Sequence, residues 1–258
     1  MSDLSHYTPP RLKRAILTGA SSGIGAALAR ELTRRGWAVA LLARRGDLLR
    51  DLASELPDAV AIECDVTDNV SVQNAVREAG GVFDLAIANA GVGVPSHATK
   101  FNIADAEQMV RVNILGMMYL FDAVMPSMIE RRSGHFTGIA SIAGLRGLPT
   151  SSVYSATKAA MQAFLEASRI ELAPYHVAVT IVNPGFIATP MTEKNRFKMP
   201  FLMQPDKAAR IIANGIERRA RVVEFPLPMS LLMRLTRLVP DAIYDRAVTP
   251  YGKRKMEP

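Results

Sequence analysis

In 258 residues the chain has one cysteine and one tryptophan. A lone Cys64 excludes an intramolecular disulfide and any cage of cysteine ligands. No metal site is expected, and a reducing cytoplasm is the expected compartment. No unbroken run of about eighteen apolar residues occurs, which argues against a spanning helix. Residues 1–12 are polar, contain Thr8-Pro-Pro10 and lack an apolar core segment. They read as a flexible arm and not as a signal peptide. Internal repeats, low-complexity tracts and a linker to a second domain are also missing.

Charge is in excess on one side only, at +7. The basic residues are spread along the chain, as at Arg34-Arg35, Arg44-Arg45, Arg131-Arg132 and Arg218-Arg219, with a cluster at Lys253-Arg-Lys255. A nucleic-acid reader would show a denser basic face and a recognisable motif, so no nucleic-acid partner is expected. Solvated helix faces and an anionic cofactor account for the balance; an anionic substrate or membrane surface is the alternative.

Hydrophobic residues make up 49% of the chain, enough for one sizeable core. Short apolar runs at 15–17, 38–42, 59–62, 85–88, 138–140 and 177–182 alternate with amphipathic stretches. Two of these stretches, 104–131 and 152–173, predict long helices, the second closed by Pro174. This rhythm predicts a single α/β domain over 13–224, a doubly wound parallel sheet with helices on both faces. Residues 186–204, with Met191, Met199 and Met203 among Lys194, Arg196 and Lys198, predict a mobile loop over a site. Residues 225–258 read as an extension of the same domain. On a helix, Ser230, Arg234 and Arg237 fall on one side of 225–240 and leucines spread over the others. That segment suits a cover over a cleft or a subunit contact, with an anionic membrane surface as the alternative.

Two patterns carry chemistry. Gly19, Gly23 and Gly25 stand where the first strand passes into the first helix, and a helix N-terminus there offers N–H groups and partial positive charge to a pyrophosphate. The second strand ends in Arg44-Arg45, with no acid before Asp47. A guanidinium grips a ribose 2′-phosphate, so NADP(H) is favoured over NAD(H), unless both arginines are plain surface charges. The other pattern is Tyr154 and Lys158, one helical turn apart, thirteen residues after Ser141. A free phenol titrates near ~10, too high for proton exchange at neutral pH, and an adjacent ammonium lowers it. Ser141 is placed to donate to a substrate oxygen.

Taken together these residues resemble the short-chain dehydrogenase/reductase family. The matching pieces run in order: Thr18-Gly-Ala-Ser-Ser-Gly-Ile-Gly25, Asp65-Val66, Asn89-Ala-Gly91, Asn113, Ser141, Tyr154-x-x-x-Lys158, and Asn183-Pro-Gly185 followed by Thr189. The resemblance implies a Rossmann-type fold and an NADP-preferring oxidoreductase acting on a carbonyl or alcohol. It implies that Tyr154 is the general acid or base, that Lys158 lowers its pKa and bonds the nicotinamide ribose, that Ser141 positions the reacting oxygen, and that Asn113 anchors a relay water. By the same resemblance Gly19, Ser21, Ser22, Gly23, Ile24 and Gly25, with Arg44 and Arg45, hold the phosphates. Asp65 and Val66 face the adenine, and Asn89, Ala90 and Gly91 lie near its ribose. Pro184, Gly185, Ile187 and Thr189 meet the nicotinamide. A homodimer or homotetramer is implied through the two long helices. Two positions depart from common family patterns: Ala88 where many members have asparagine, and Ser22 where some NADP-preferring members carry a basic residue.

Overall fold

The computed structural model describes residues 12–193, 195 and 198–254. Most of the N-terminal arm and residues Lys194, Arg196 and Lys255 lie outside the described residues, and the side chains of Lys253 and Arg254 are not described. Seven parallel strands form one sheet in the order β3-β2-β1-β4-β5-β6-β7. They are β1 (Lys13–Thr18), β2 (Trp37–Ala43), β3 (Ala59–Glu63), β4 (Leu85–Ala88), β5 (Gly134–Ile139), β6 (Val177–Pro184) and β7 (Val222–Phe225). Alternate residues of one strand enter different cores. Ile16 and Leu42 join one buried cluster while Leu17 and Leu41 join the other. Helices therefore cover both faces, and the strands are apolar on both sides as a parallel sheet requires.

Two elements differ from the sequence expectation. β5 begins at Gly134, four residues before the apolar run that predicted it, and ends at Ile139, inside that run. His135 and Thr137 break its apolar pattern, yet both are buried, and His135 Nε2 is bonded to Thr180 Oγ1 of β6 at 2.8 Å. β7 was not anticipated. It is four residues long and lies at the sheet edge, paired only with β6, where alternation is too short to register.

The helices are α1 (Gly23–Arg34), α2 (Gly46–Ser54), α3 (Asn69–Glu78), α4 (Ile103–Met109), α5 (Gly116–Glu130), α6 (Ser152–Leu172), the short α7 (Pro190–Glu193), α8 (Pro205–Glu217), α9 (Leu227–Thr236) and α10 (Asp241–Arg254). A π-helical segment, Val110–Leu115, joins α4 to α5. The resulting helical run, Ile103–Glu130, is long and apolar enough by length and composition to cross a membrane. Its Met117, Leu120, Val124 and Met128 are nevertheless in the core against the sheet. The chain reverses its winding between β1 and β4, whose C-terminal ends open a crevice of the kind that binds ligands in doubly wound sheets.

Candidate active site

At the crevice the backbone after β1 turns sharply into α1. Gly19 has φ +67°, and a Cβ there would lie 2.7 Å from Ala90 Cα. A Cβ on Gly25 would lie 2.2 Å from the Gly19 carbonyl oxygen. Both positions thus exclude a side chain, one by conformation and contact and the other by contact alone. Asn89 completes the corner: its Nδ2 donates to the carbonyls of Thr18 and Gly19 at 3.0 and 3.1 Å. The backbone N–H groups of Asn89 and Ala90 donate to Thr18 Oγ1. Asn89 is therefore a brace between two strand ends, and Thr18 is a supporting residue that the sequence reading passed over.

The N-terminus of α1 is left open. Ser22 is its N-cap but makes no side-chain cap bond, and the first turn holds no acid. Instead Arg45 donates to Ser21 Oγ and Ser22 Oγ, both at 2.7 Å. Arg44 is exposed and makes no ion pair among the described residues. Ile24 is half-buried against the core. A free helix terminus beside two guanidinium groups is an anion seat.

Across the sheet, Ser141 follows β5, and Tyr154 and Lys158 rise from the first turns of α6. Ser141 accepts from the Ala143 N–H at 3.1 Å, and Gln162 Nε2 donates to the Ser141 carbonyl at 2.8 Å. Gln162, one turn beyond Lys158, was not foreseen; a polar residue on a helix face gives no signal of such a partner. The Gly91–Gly93 segment closes the third side. Cβ positions there would lie 3.5 Å from Lys158 Nζ and 3.2 Å from the Tyr154 ring.

The protein's own groups shift the pair in an unexpected direction. Burial raises the Tyr154 phenol above its ordinary value, against a lowering pull from the Ser141 hydroxyl. Burial also depresses the Lys158 ammonium to about 7. Lys158 Nζ lies 5.8 Å from the Tyr154 ring centre and donates to the Ile139 carbonyl at 2.8 Å. Desolvation thus dominates both groups, and the lowering pull on the phenol comes from Ser141.

Asn113 sits fully buried in the π-helical segment. Its Oδ1 accepts from the Val92 N–H at 2.8 Å, and its Nδ2 donates to the Val92 carbonyl and to Thr157 Oγ1. The side chain thus locks the Gly91–Gly93 segment to α6. π-turns inside α-helices recur at functional sites, where they re-aim the backbone. Asp65 Oδ1 accepts from the N–H and hydroxyl of Thr67, closing a local turn, while Asp68 caps α3. Val66 is buried, and a Cβ on Gly116 would lie 3.0 Å from it.

The segment after β6 returns to the crevice. Ser141 Oγ donates to the Pro184 carbonyl at 3.4 Å, and the Gly185 N–H to the Phe225 carbonyl at 2.7 Å. Ile187 is buried, and Thr189 lies over Gly23, 3.0 Å from where its Cβ would be. Thr192 pins this stretch by donating to the Ile187 carbonyl at 2.6 Å. Residues 186–204 are not wholly irregular: they contain α7 and a bridge between Ile187 and Met203. Met191 Sδ is 3.7 Å from the position of a Gly93 Cβ, beside Tyr154.

Segment 225–240 contains α9, whose two sides differ. Ser230 is buried, Arg234 pairs with Glu224 while staying exposed, and Arg237 is exposed. Leu227, Leu231, Leu232, Leu235 and Leu238 are exposed and do not cover the cleft. Met229 does approach it, with Sδ 3.3 Å from a Gly185 Cβ position.

Comparison with known proteins agrees with this architecture. An uncharacterized oxidoreductase of Myxococcus xanthus is 36% identical over 255 residues, 96% of this chain and 98% of its own. A short-chain dehydrogenase from Sphingobium yanoikuyae, solved with NADPH, superposes with a TM-score of 0.78 at 27% identity, covering 95% of this chain and 94% of its own. A 3-ketoacyl-(acyl-carrier-protein) reductase from Brucella melitensis, solved with NADH, gives 0.77 at 26%, covering 83% and 96%. The short chain dehydrogenase family profile matches residues 13–199. With that match laid over the crevice just described, the chain belongs to the short-chain dehydrogenase family.

Proposed function

We propose that this protein is an NADP(H)-dependent oxidoreductase that reduces a carbonyl, or oxidises the corresponding secondary alcohol, on a bulky apolar substrate. The observation that carries the proposal is the meeting of Ser141, Tyr154 and Lys158 with the Gly91–Gly93 segment, in the crevice that also holds the open terminus of α1. A dinucleotide fits the residues present. Its pyrophosphate would meet the uncapped N–H groups after Ser22, and Arg44 with Arg45 would take a 2′-phosphate. Relatives with NADH and with NADPH are both known, so the choice of NADP(H) rests on those two arginines. When bound, the nicotinamide supplies or accepts the hydride.

The remaining work falls to the chain. In reduction the Ser141 hydroxyl holds the substrate oxygen, and Tyr154 gives it a proton from the phenolic oxygen. The resulting phenolate is stabilised by the Lys158 ammonium, whose own loss of hydration is offset as that negative charge forms. Lys158 would also hold the nicotinamide ribose. Asn113 fixes the backbone between Tyr154's helix and Gly91, and the relay water expected of it would rest on the π-turn backbone, since its side chain is already bonded. Met191 and Met229 border the substrate side with polarizable apolar surface, which favours bulky apolar carbonyls. A homo-oligomer through α5 and α6 is part of the reading, supported by an apolar groove lined by Met118, Phe121, Met125, Ile129 and Phe164.

A second reading, in which the enzyme works at a membrane surface on lipid-like substrates, is favoured by the outward leucines of α9. Co-sedimentation with anionic liposomes, with and without residues 225–258, separates it from a freely cytoplasmic enzyme. The principal test is an NADPH-consumption screen over ketone and aldehyde classes beside Tyr154→Phe. Turnover should fall by about 10²–10⁴-fold in the variant. Equal turnover by both proteins removes Tyr154 from the chemistry, and exclusive use of small sugars removes the apolar substrate.

A further inference from the structure

Between Ser141 and Tyr154 the chain makes a loop that contacts the catalytic helix on one side and the C-terminal hairpin α9–α10 on the other. On the inner side, a Cβ on Gly144 would lie 2.7 Å from the Lys158 carbonyl carbon and 2.8 Å from the Ala159 nitrogen. The loop therefore rests directly on the backbone of the turn that carries Lys158. On the outer side, two residues further on, stands Arg146.

Arg146 occupies the elbow of the hairpin. One terminal nitrogen, Nη1, donates to the carbonyls of Thr236 at 2.5 Å and Val239 at 3.2 Å. Nη2 reaches Asp241 at 2.7 Å. The guanidinium also lies 4.1 Å over the Tyr244 ring, and the Tyr244 hydroxyl donates to the Gly147 carbonyl at 2.8 Å. A single side chain, only 14% exposed, thus closes the C-terminal end of α9, holds the first turn of α10 and stacks on an aromatic ring. A cation at a helix C-terminus, a planar fork and a ring face each favour arginine over lysine. The other attachment of α9 is Arg234 on Glu224, which in turn accepts from Asn183 at the end of β6. Met229 stands in the first turn of the same helix, N-terminal to both anchors and beside Gly185.

We infer that Arg146 is a positioning residue for substrate selection: it clamps the α9–α10 hairpin to the Ser141–Tyr154 loop, so that α9 forms the outer wall of the substrate site. This deepens the proposed carbonyl reduction and rests on it. The wall acts on the part of the substrate remote from the reacting oxygen. Loss of the clamp should then raise KM for bulky ketones and leave small ones alone, because contacts made equally in ground and transition state appear in KM.

The test compares the full-length protein with Arg146→Ala, Arg146→Lys and Tyr244→Phe over a series of ketones of increasing apolar bulk, with NADPH. For the largest ketone KM should rise about 10-fold in Arg146→Ala, with kcat within about threefold and the smallest ketone unchanged. Arg146→Lys and Tyr244→Phe should fall between, since each keeps part of the clasp. Amide hydrogen exchange should speed up in α9 and α10 but not in α1. If Arg146→Ala fails to fold, Tyr244→Phe alone decides by the same split. The inference is overturned by equal losses for all ketones, by a shift confined to the KM for NADPH, or by unchanged kinetics. A wild-type protein that reduces no carbonyl at all overturns the proposed function, and the clamp's role in selection with it.

Discussion

At its C-terminal end α1 is closed by a network that leaves no charge without an answer. Glu31 takes Arg34 and Arg35, and Arg35 reaches across to Glu217 and Asn214 of α8. At its N-terminal end the same helix has an uncapped first turn, and among the described residues an exposed Arg44 without an ion pair and Arg45 bonded to two serine hydroxyls and no carboxylate. The first end is finished by the protein for itself. The second is finished only by something with negative charge. Lys158 belongs with the second: it is buried, bonded to a carbonyl, and without a carboxylate partner among the described residues. Structure alone would pair or remove such groups, so their retention marks the region where function overrides stability.

The largest effect that tests this contrast comes from Lys158→Met. Activity should fall by about 10²–10⁴-fold, since the phenolate loses its counter-charge. Thermal stability should rise. Folding depresses the lysine from 10.5 to about 7, so the folded state is penalised increasingly as pH falls from the first value towards the second. The gain in Tm should therefore be greater at neutral than at strongly alkaline pH; a lower Tm at neutral pH would place Lys158 with the satisfied charges.

His135 gives the comparison for a buried base that has its partner. Burial lowers it from 6.5 to about 4, and neutral Nε2 remains bonded to Thr180. Its contribution is intact above 6.5 and is lost as pH falls towards 4, about 3 kcal/mol in all. Urea unfolding of wild type and His135→Gln across this window should show the wild-type slope disappear in the variant. Next comes Arg44→Ala, expected to weaken NADPH relative to NADH by about 10-fold or more, for one lost charge-assisted contact to phosphate. Unchanged selectivity in titrations with both coenzymes would return Arg44 to the surface charges. The smallest effect is that of Glu31→Gln. The carboxyl is held at about 2 by its arginines, so its stabilising contribution is present above 4.5 and is lost as pH falls through the folded value. Solvent screening at this helix end limits the loss to about 1–2 kcal/mol, read by chemical denaturation at neutral pH with turnover unchanged.

The sheet was legible because both faces of β1, β2, β4 and β6 are buried, which leaves uninterrupted apolar runs. β5 was placed too late since His135 and Thr137 look like loop residues until Thr180 is seen beside His135. β7 was invisible, being an edge of four residues. The chemistry of the site was legible for a different reason: the glycine turn and the Tyr154–Lys158 pair are local in sequence. What supports them is not. Thr18 meets Asn89, Thr157 meets Asn113, and Arg146 meets Tyr244 only after the chain has folded back over tens of residues. The amphipathicity of α9 specified two faces without saying which one turns inward; in the fold Ser230 is buried and the leucines are exposed.

The corner formed by Thr18, Gly19, Gly25 and Asn89 has one more consequence. Atoms there already stand so close that no added carbon can be admitted, and Asn89 Nδ2 and Thr18 Oγ1 tie the two strand ends together. Such a joint cannot adapt to a new ligand by small adjustments. Diversification, natural or engineered, must therefore run through the opposite rim, where short helices and loops can be exchanged while the corner stays invariant.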